Sequence, residues 1–179
     1  MMQGYTTEKE IVIGYGPYCA EKSFLNKLIR FDTFAIAIQY LSLAIDNKAY
    51  MGVGRNLSYK KDLFFKNKGF STHYHINSGD DDLFINQNAT HVNVGIIISK
   101  DSLTYSIPAK DFNEWNRQKA RHLSTSTLYT GASKNRLGIL HASNYLFYML
   151  FIASLFCIDL IAVTAVVFVI KSIVLLIFY

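Results

Sequence analysis

The stretch Ser78-Gly79-Asp80-Asp81-Asp82-Leu83-Phe84-Ile85-Asn86-Gln87 organises this chain, because it sets three consecutive carboxylates between a glycine and an apolar run. Like charges this close repel one another, so the acid cluster (Asp80, Asp81 and Asp82) needs a metal ion, a basic partner or free water. The apolar run predicts a short helix over residues 83–89, and the N-terminal amides of that helix can help to hold the acids.

A basic partner for the acid cluster follows in the stretch Gln118-Lys119-Ala120-Arg121-His122. On a helix, Gln118, Arg121 and His122 fall at positions i, i+3 and i+4, so they share one side. A carboxylate that can act as a base and a cationic face that can hold an anionic leaving group together favour a transferase site.

A third stretch, Gly52-Val53-Gly54-Arg55-Asn56-Leu57-Ser58-Tyr59, carries two glycines around one valine in a predicted strand. Glycines inside a strand often let a second backbone or a ligand approach closely. Arg55 and Asn56 then point into a site. The alternative interpretation of the same pattern is a bulged edge strand.

The three stretches, in this order and ahead of an apolar C-terminal region, resemble the second half of a processive or membrane-bound family 2 glycosyltransferase. In that family the general base is an Asp in a Glu-Asp or Gly-Asp-Asp motif. A Gln/Arg-x-x-Arg-Trp motif follows on a helix at the membrane surface, and here His122 stands in place of the Trp. The resemblance implies that Asp81 is the catalytic base and that the substrate is bound by Asp80, Asp82, Arg55, Asn56, Gln118, Arg121 and His122.

The same resemblance implies an α/β fold with a partial GT-A-like acceptor-side domain over residues 1–110. An amphipathic interfacial helix and a loop follow over residues 111–141, and a transmembrane helix or hairpin over residues 142–179. The implied partners are a nucleotide sugar, an acceptor that is a sugar, a lipid or a polysaccharide, and the membrane, with no nucleic acid.

Members of this family carry a nucleotide-binding half in which an Asp-x-Asp motif holds a divalent metal, Mg²⁺ or Mn²⁺. Nothing before Tyr50 supplies that motif, and about 50 residues are too few for several βα units. We therefore expect the metal in the complete enzyme but no metal ligand in this chain. We therefore interpret the chain as the C-terminal part of a glycosyltransferase, either cut short or with its nucleotide-binding half encoded separately as a partner, and the chain alone can be inactive.

Two alternatives from other functional classes stay open. The missing nucleotide-binding half favours a membrane-anchored interaction module without catalysis. His73 and His75 precede the acid cluster with a spacing that puts both on one side of a strand, and such histidines with carboxylates can bind zinc or iron in a metal hydrolase.

The composition adds a membrane prediction, since 51% of the residues are hydrophobic and the excess lies at the C-terminal end. Between residues 142 and 170 only Asp159 is charged. One tilted span would bury Asp159, whereas a hairpin of two spans puts it at the turn. No acid lies between Glu114 and Asp159, and the basic residues in that gap predict an inner (plasma) membrane location with the site on the cytoplasmic side.

The remaining pattern predicts the local structure. A strand is expected over residues 11–14, a helix over 23–45 and a short helix from Lys60. The apolar stripe of the helix over 23–45 is expected at Leu28, Phe31, Phe34 or Ala35, Ile38, and Leu41 or Ser42. Strands over 92–98 and 103–107 are expected to pair as a hairpin. A helix opening at Asp111 is expected to lie on the bilayer, followed by a polar loop over 124–133.

Overall fold

The computed structural model describes residues 6, 8–71, 74, 76 and 78–177. The chain divides into two compact units between Thr130 and Gly131. The N-terminal unit combines helices with a small three-stranded sheet, and the C-terminal unit is a pair of helices. The mixed helix-and-sheet class expected from the sequence is therefore present, whereas a GT-A-like architecture stays a prediction.

The sheet of the N-terminal unit has the strand order β2-β1-β3. The central strand β1 (Ile11–Gly14) is antiparallel to β2 (Leu57–Tyr59) and parallel to β3 (Val94–Ile97). The side chains of Ile11, Val12 and Ile13 are fully buried, as expected for a continuous apolar run at the centre of a sheet. The core forms around β1.

Helix α1 (Phe24–Ile45) begins at Ser23, whose hydroxyl accepts a hydrogen bond from the Asn26 amide. The helix has its predicted bounds, but its buried face differs in part from the predicted stripe. Leu41 of the stripe is buried, whereas Phe31 is exposed and Leu28 is half-buried. The other buried apolar residues are Ile29, Ala37, Tyr40 and Ala44. The helix is apolar on several sides, so its pattern alone did not select the face that packs on the sheet.

Two short helices follow β2 and precede β3. Helix α2 (Lys61–Lys66) lies next to the core through Leu63, and helix α3 (Asp82–Asn88) follows the acid cluster with Phe84 and Ile85 fully buried. Both helices lie where the sequence predicts them. The burial of α3 fixes the segment that carries the acids to the core of the N-terminal unit.

The predicted hairpin of β3 with residues 103–107 is wrong. A turn at Lys100–Ser102 intervenes, closed by reciprocal hydrogen bonds between Ser99 and Ser102. The chain then returns along the end of β1, where the Ser106 amide donates to the Pro17 carbonyl and the Cys19 amide donates to the Ser106 carbonyl. Strand β3 therefore pairs in parallel with β1, and not with residues 103–107.

Helix α4 (Phe112–Thr125) begins at Asp111, whose carboxylate accepts from the Glu114 amide as the capping pattern predicts. The polar loop predicted over 124–133 is mostly absent. Ser124 and Thr125 complete α4, a short 3₁₀ turn covers Ser126–Leu128, and the next helix starts at Gly131. Short hydroxyl side chains favour loops in sequence patterns, but here the Ser124 and Thr127 hydroxyls donate to carbonyls of the preceding turn.

The C-terminal unit consists of helices α5 (Gly131–Ser154) and α6 (Ile158–Ile177), separated by a break at residues 155–157. The two helices contact each other through the stacked rings of Phe151 and Phe168. The Lys171 ammonium also donates a hydrogen bond of 3.1 Å to the side-chain Oδ1 atom of Asn144. The region therefore has the two helices of the hairpin alternative, with Asp159 next to the break. Within the described residues, α1 and α5 are long and apolar enough to cross a membrane.

Candidate functional site

Asp81 sits at the start of α3 and is held by two backbone amides. Its Oδ2 atom accepts from the Gly54 amide at 2.7 Å, and its Oδ1 atom accepts from the Asp82 amide at 2.9 Å. The side chain is only half-buried, so a substrate hydroxyl can still approach it. The carboxylate predicted as a base is oriented by the fold and remains accessible.

The Gly54 backbone approaches Asp81 closely, as the glycine pattern of that stretch predicts. A Cβ atom at Gly54 would lie 3.1 Å from Asp81 Oδ2, closer than ordinary van der Waals contact. Gly54 opens a short 3₁₀ turn over Gly54–Asn56 rather than lying inside a strand. The turn brings the stretch Gly52–Tyr59 into direct contact with the acid cluster.

Asp82 has a different environment from Asp81, because it is 4% exposed. Its Oδ2 atom accepts from the Thr125 hydroxyl at 2.7 Å and from the Tyr129 hydroxyl at 2.6 Å. Its Oδ1 atom is buried without a hydrogen-bond partner in the described part of the chain. The structure thus places Asp82 inside the N-terminal unit, where it links α3 to the end of α4, and not at a substrate-facing surface.

The hydroxyl partners of Asp82 lie in a buried polar cluster that sequence patterns did not single out. Burial, and then the Asp82 charge and its hydrogen bond, raise the pKa of Tyr129 well above its ordinary value. Burial also raises the pKa of Tyr50, whose ring meets the Tyr129 ring edge-on with 5.9 Å between centroids. Both phenols therefore stay protonated at neutral pH, and Tyr129 can donate to Asp82.

Asn86 connects α3 to the segments that contain Tyr50 and Tyr129. Its Nδ2 atom donates to the Tyr50 carbonyl at 2.9 Å, and its Oδ1 atom accepts from the Thr130 amide at 2.7 Å. The only sequence signal for this role is the position of Asn86 one helical turn after Asp82, on the same side of α3.

Tyr18 joins two of the predicted substrate-binding residues. The guanidinium carbon of Arg55 lies 4.0 Å from the centroid of the Tyr18 ring, and the Gln118 Nε2 atom donates to the Tyr18 hydroxyl at 3.0 Å. Tyr18 itself is 8% exposed and bridges to Ser106. The structure therefore brings Arg55 and Gln118 to one place through a tyrosine that sequence reasoning missed.

Asn56, also predicted to bind substrate, is buried and has a structural role. Its Nδ2 atom donates to the carbonyl oxygens of Tyr15 at 2.7 Å and Ser102 at 2.8 Å, so both amide hydrogens are used. A Cβ at Gly14 would lie 2.7 Å from this nitrogen. Asn56 fastens the 3₁₀ turn to the end of β1.

The remaining predicted residues, Asp80, Arg121 and His122, are exposed. Neither Arg121 nor His122 forms an ion pair with the acids among the described residues, where Lys119 pairs instead with Asp32 of α1. The sequence predicted the basic partner of the acid cluster at Gln118–His122, whereas the side chains that contact Asp82 are the hydroxyls of Thr125 and Tyr129.

The described carboxylates do not fit a divalent metal ion. Both oxygens of Asp81 bond to amides, and Asp82 turns toward two hydroxyls. No group of three or more His, Cys, Asp or Glu side chains among the described residues could hold a metal. His73 and His75, the histidines of the metal-hydrolase alternative, lie outside the described residues.

Comparisons with protein-family models, with curated proteins and with solved structures returned no match to this chain.

Proposed function

We propose that the N-terminal unit is the acceptor-side part of a membrane glycosyltransferase. The observation that carries the proposal is that the acid cluster contacts both the Gly54 turn and the helix that carries Gln118 and Arg121. Gly54 donates to Asp81, Thr125 at the end of α4 donates to Asp82, and Gln118 and Arg55 both contact Tyr18. These residues are far apart in sequence, so the contacts are not a consequence of local structure.

In the proposed reaction the acceptor hydroxyl oxygen attacks the anomeric carbon of a nucleotide sugar. The bond from that carbon to the phosphate oxygen breaks, and the nucleoside diphosphate leaves with the electron pair. Asp81 takes the proton of the acceptor hydroxyl, a role typically worth about 100- to 10,000-fold in rate. Gln118 and Arg121 position the acceptor and stabilise the departing diphosphate.

Asp81 has the properties that this role requires. It is half-exposed, its carboxylate is oriented by the Gly54 and Asp82 amides, and it does not share a proton with a neighbouring side chain among the described residues. Asp82 lacks the first property, since it is buried against Thr125 and Tyr129. The difference supports Asp81, rather than its neighbour, as the base.

The test is nucleoside diphosphate release by membranes that hold this chain with a nucleotide-binding half, supplied with nucleotide sugars and acceptors. Asp81→Asn should lower the rate by about 100-fold or more. Asp101→Asn is the matched control, because Asp101 is exposed on a different turn. Equal rates for Asp81→Asn and the unsubstituted chain would refute the assignment. Release in neither would favour the non-catalytic module.

The C-terminal unit is proposed to anchor this site to the inner membrane as a helical hairpin. The rise of about 1.5 Å per residue gives α5 and α6 enough length for a core of about 30 Å, and Leu146, Met149, Val163 and Val167 are among their exposed apolar side chains. A reporter fused after Tyr179 should give a cytoplasmic signal. A signal on the opposite side would exclude the hairpin, and a reporter at Met1 found outside would exclude the cytoplasmic site.

A further inference from the structure

The guanidinium group of Arg55 combines a buried nitrogen atom with the lack of an anionic partner among the described residues. Within the described residues it forms no ion pair and no hydrogen bond, and its Nη1 atom is buried without a partner. Arg121 also lacks an ion pair among the described residues, but it is exposed, so water can solvate its charge. A charged donor that is buried and left unpaired is costly, so its persistence points to a ligand.

The guanidinium group is held in place although it has no anionic partner. It stacks on the face of Tyr18 at 4.0 Å, a favourable cation–π distance. The Tyr18 ring is itself fixed by burial, by the Gln118 hydrogen bond and by the bridge to Ser106. Gly16 allows this close packing, since a Cβ there would lie 3.2 Å from the Arg55 Cβ. The donors are therefore preorganised before any ligand arrives.

The chemistry of Arg55 identifies the ligand further. Its neighbour in the chain, Gly54, donates through the backbone amide to Asp81, so Arg55 belongs to the turn that contacts the carboxylate that we assign as the base. The forked donors of arginine match the paired oxygens of a phosphoryl group. Arg55 is also only half-buried overall, which leaves part of the side chain open to a ligand.

We propose that Arg55, seated on Tyr18, binds a phosphoryl group at this site. The group is either the diphosphate of a soluble nucleotide or the phosphate of a lipid-linked acceptor, which present the same chemistry to arginine. This inference rests on the proposed function only for the choice between these two sources. It assigns the phosphoryl contact to Arg55 in addition to the exposed Arg121, and it gives Tyr18 the role of positioning residue.

Two binding measurements on the full chain in phosphatidylcholine nanodiscs test the proposal. Calorimetric titration with inorganic pyrophosphate probes the soluble source, and native mass spectrometry after addition of phosphatidic acid counts bound lipid phosphate. Arg55→Gln should weaken at least one of the two by about tenfold or more, the range expected for a charge-assisted hydrogen bond. Arg117→Gln, which removes an exposed arginine of α4, should change neither by more than about twofold.

Each outcome has a defined meaning. Loss in the pyrophosphate titration alone identifies a soluble diphosphate, and loss in lipid binding alone identifies a lipid phosphate. The proposal is overturned if Arg55→Gln still binds both pyrophosphate and lipid phosphate. It is also overturned if the unsubstituted chain binds neither. If Arg55→Gln does not fold, Arg55→Lys replaces it, because lysine keeps the charge without the forked N–H donors of arginine. Arg55→Lys should bind the phosphoryl group several-fold more weakly. Unchanged affinity of Arg55→Lys also overturns the proposal.

The ring and the hydroxyl of Tyr18 provide a second comparison. Tyr18→Leu removes the face that supports the guanidinium and should weaken binding nearly as much as Arg55→Gln does. Tyr18→Phe keeps the face and removes only the acceptor for Gln118, so its affinity should stay within about threefold of the original. These measurements need no sugar transfer. Arg55-dependent binding without transfer would refute the proposed function alone, and transfer with Arg55-independent binding would refute this inference alone.

Discussion

The acid cluster at the start of α3 and the basic side of α4 differ in how firmly the fold holds them. Asp81 and Asp82 receive hydrogen bonds from two amides and two hydroxyls, whereas Arg121 and His122 project from an exposed helical surface. The sequence shows two equally conspicuous charged stretches. The structure shows that Asp82 is buried and Asp81 is half-buried, whereas Arg121 and His122 are exposed.

The largest effect should come from Gly79, which precedes the acids in a left-handed conformation with φ of 91°. A Cβ there would lie 2.8 Å from Thr125 Cγ2 and 2.9 Å from Asp82 Oδ1. Strain and overpacking together predict that Gly79→Ala lowers the free energy of unfolding by about 2–4 kcal/mol. Urea unfolding followed by fluorescence of Trp115, the only tryptophan, reports on this unit.

The neighbouring Ser78→Ala variant is the control for Gly79→Ala. Ser78 is half-buried and lies in the same segment, so its truncation should change the free energy of unfolding by less than about 0.5 kcal/mol. Equal stabilities of the two variants would show that Gly79 is not what allows Asp82 to reach Thr125.

A smaller effect is expected from Tyr129→Phe, which removes one of the two hydroxyl donors to Asp82 and keeps the ring. A hydrogen bond to a charged group contributes about 1.5–3 kcal/mol, and we expect a loss of that size in urea unfolding. Tyr105→Phe is the matched control because Tyr105 is 62% exposed. A Tyr129→Phe protein as stable as this control would mean that the Asp82 contact contributes nothing.

Tyr129 also predicts a pH dependence of stability. Its pKa is raised in the folded protein above the ordinary value of 10.0, so the folded state keeps a proton that the unfolded state loses. The contribution is fully present below pH 10 and is lost as the pH rises beyond it. Stability should therefore fall more steeply above pH 10 in the unsubstituted protein than in Tyr129→Phe. The same slope in both would contradict this assignment.

The smallest effects on stability should come from the basic side of α4. Arg121→Ala and His122→Ala each remove an exposed side chain without an ion pair among the described residues. We expect the free energy of unfolding to change by less than about 0.5 kcal/mol. A loss above 2 kcal/mol, on the scale predicted for Gly79→Ala, would mean that this side of α4 is packed in the protein and is not a free surface.

Local patterns in the sequence predicted much of the fold. The apolar run of β1, the Ser23 start of α1 and the Asp111 cap of α4 are set by nearest neighbours, and each element lies where it was expected. The pairing of β3 could not be found in the same way. Its partner β1 is about 80 residues away, and a short hairpin is the default for two nearby apolar runs.

The sequence predicted one close approach at the candidate site but not the bonding of its acids. The glycine pattern correctly indicated a close approach at Gly54. Thr125 looked like a loop residue, and nothing local distinguishes Asp82 from its two neighbours. The roles of both depend on a contact across 43 residues, which becomes visible only when α3 and α4 are packed together.

The most direct test of the account is chemical rescue of the two neighbouring carboxylates in the transfer assay. Asp81→Ala should lose transfer, and added formate should restore part of it, because the half-exposed position can admit a small carboxylate that accepts the acceptor proton. Asp82→Ala should not be rescued, because its carboxylate is buried among Thr125 and Tyr129. Full activity of Asp81→Ala, or rescue of Asp82→Ala alone, would contradict Asp81 as the base.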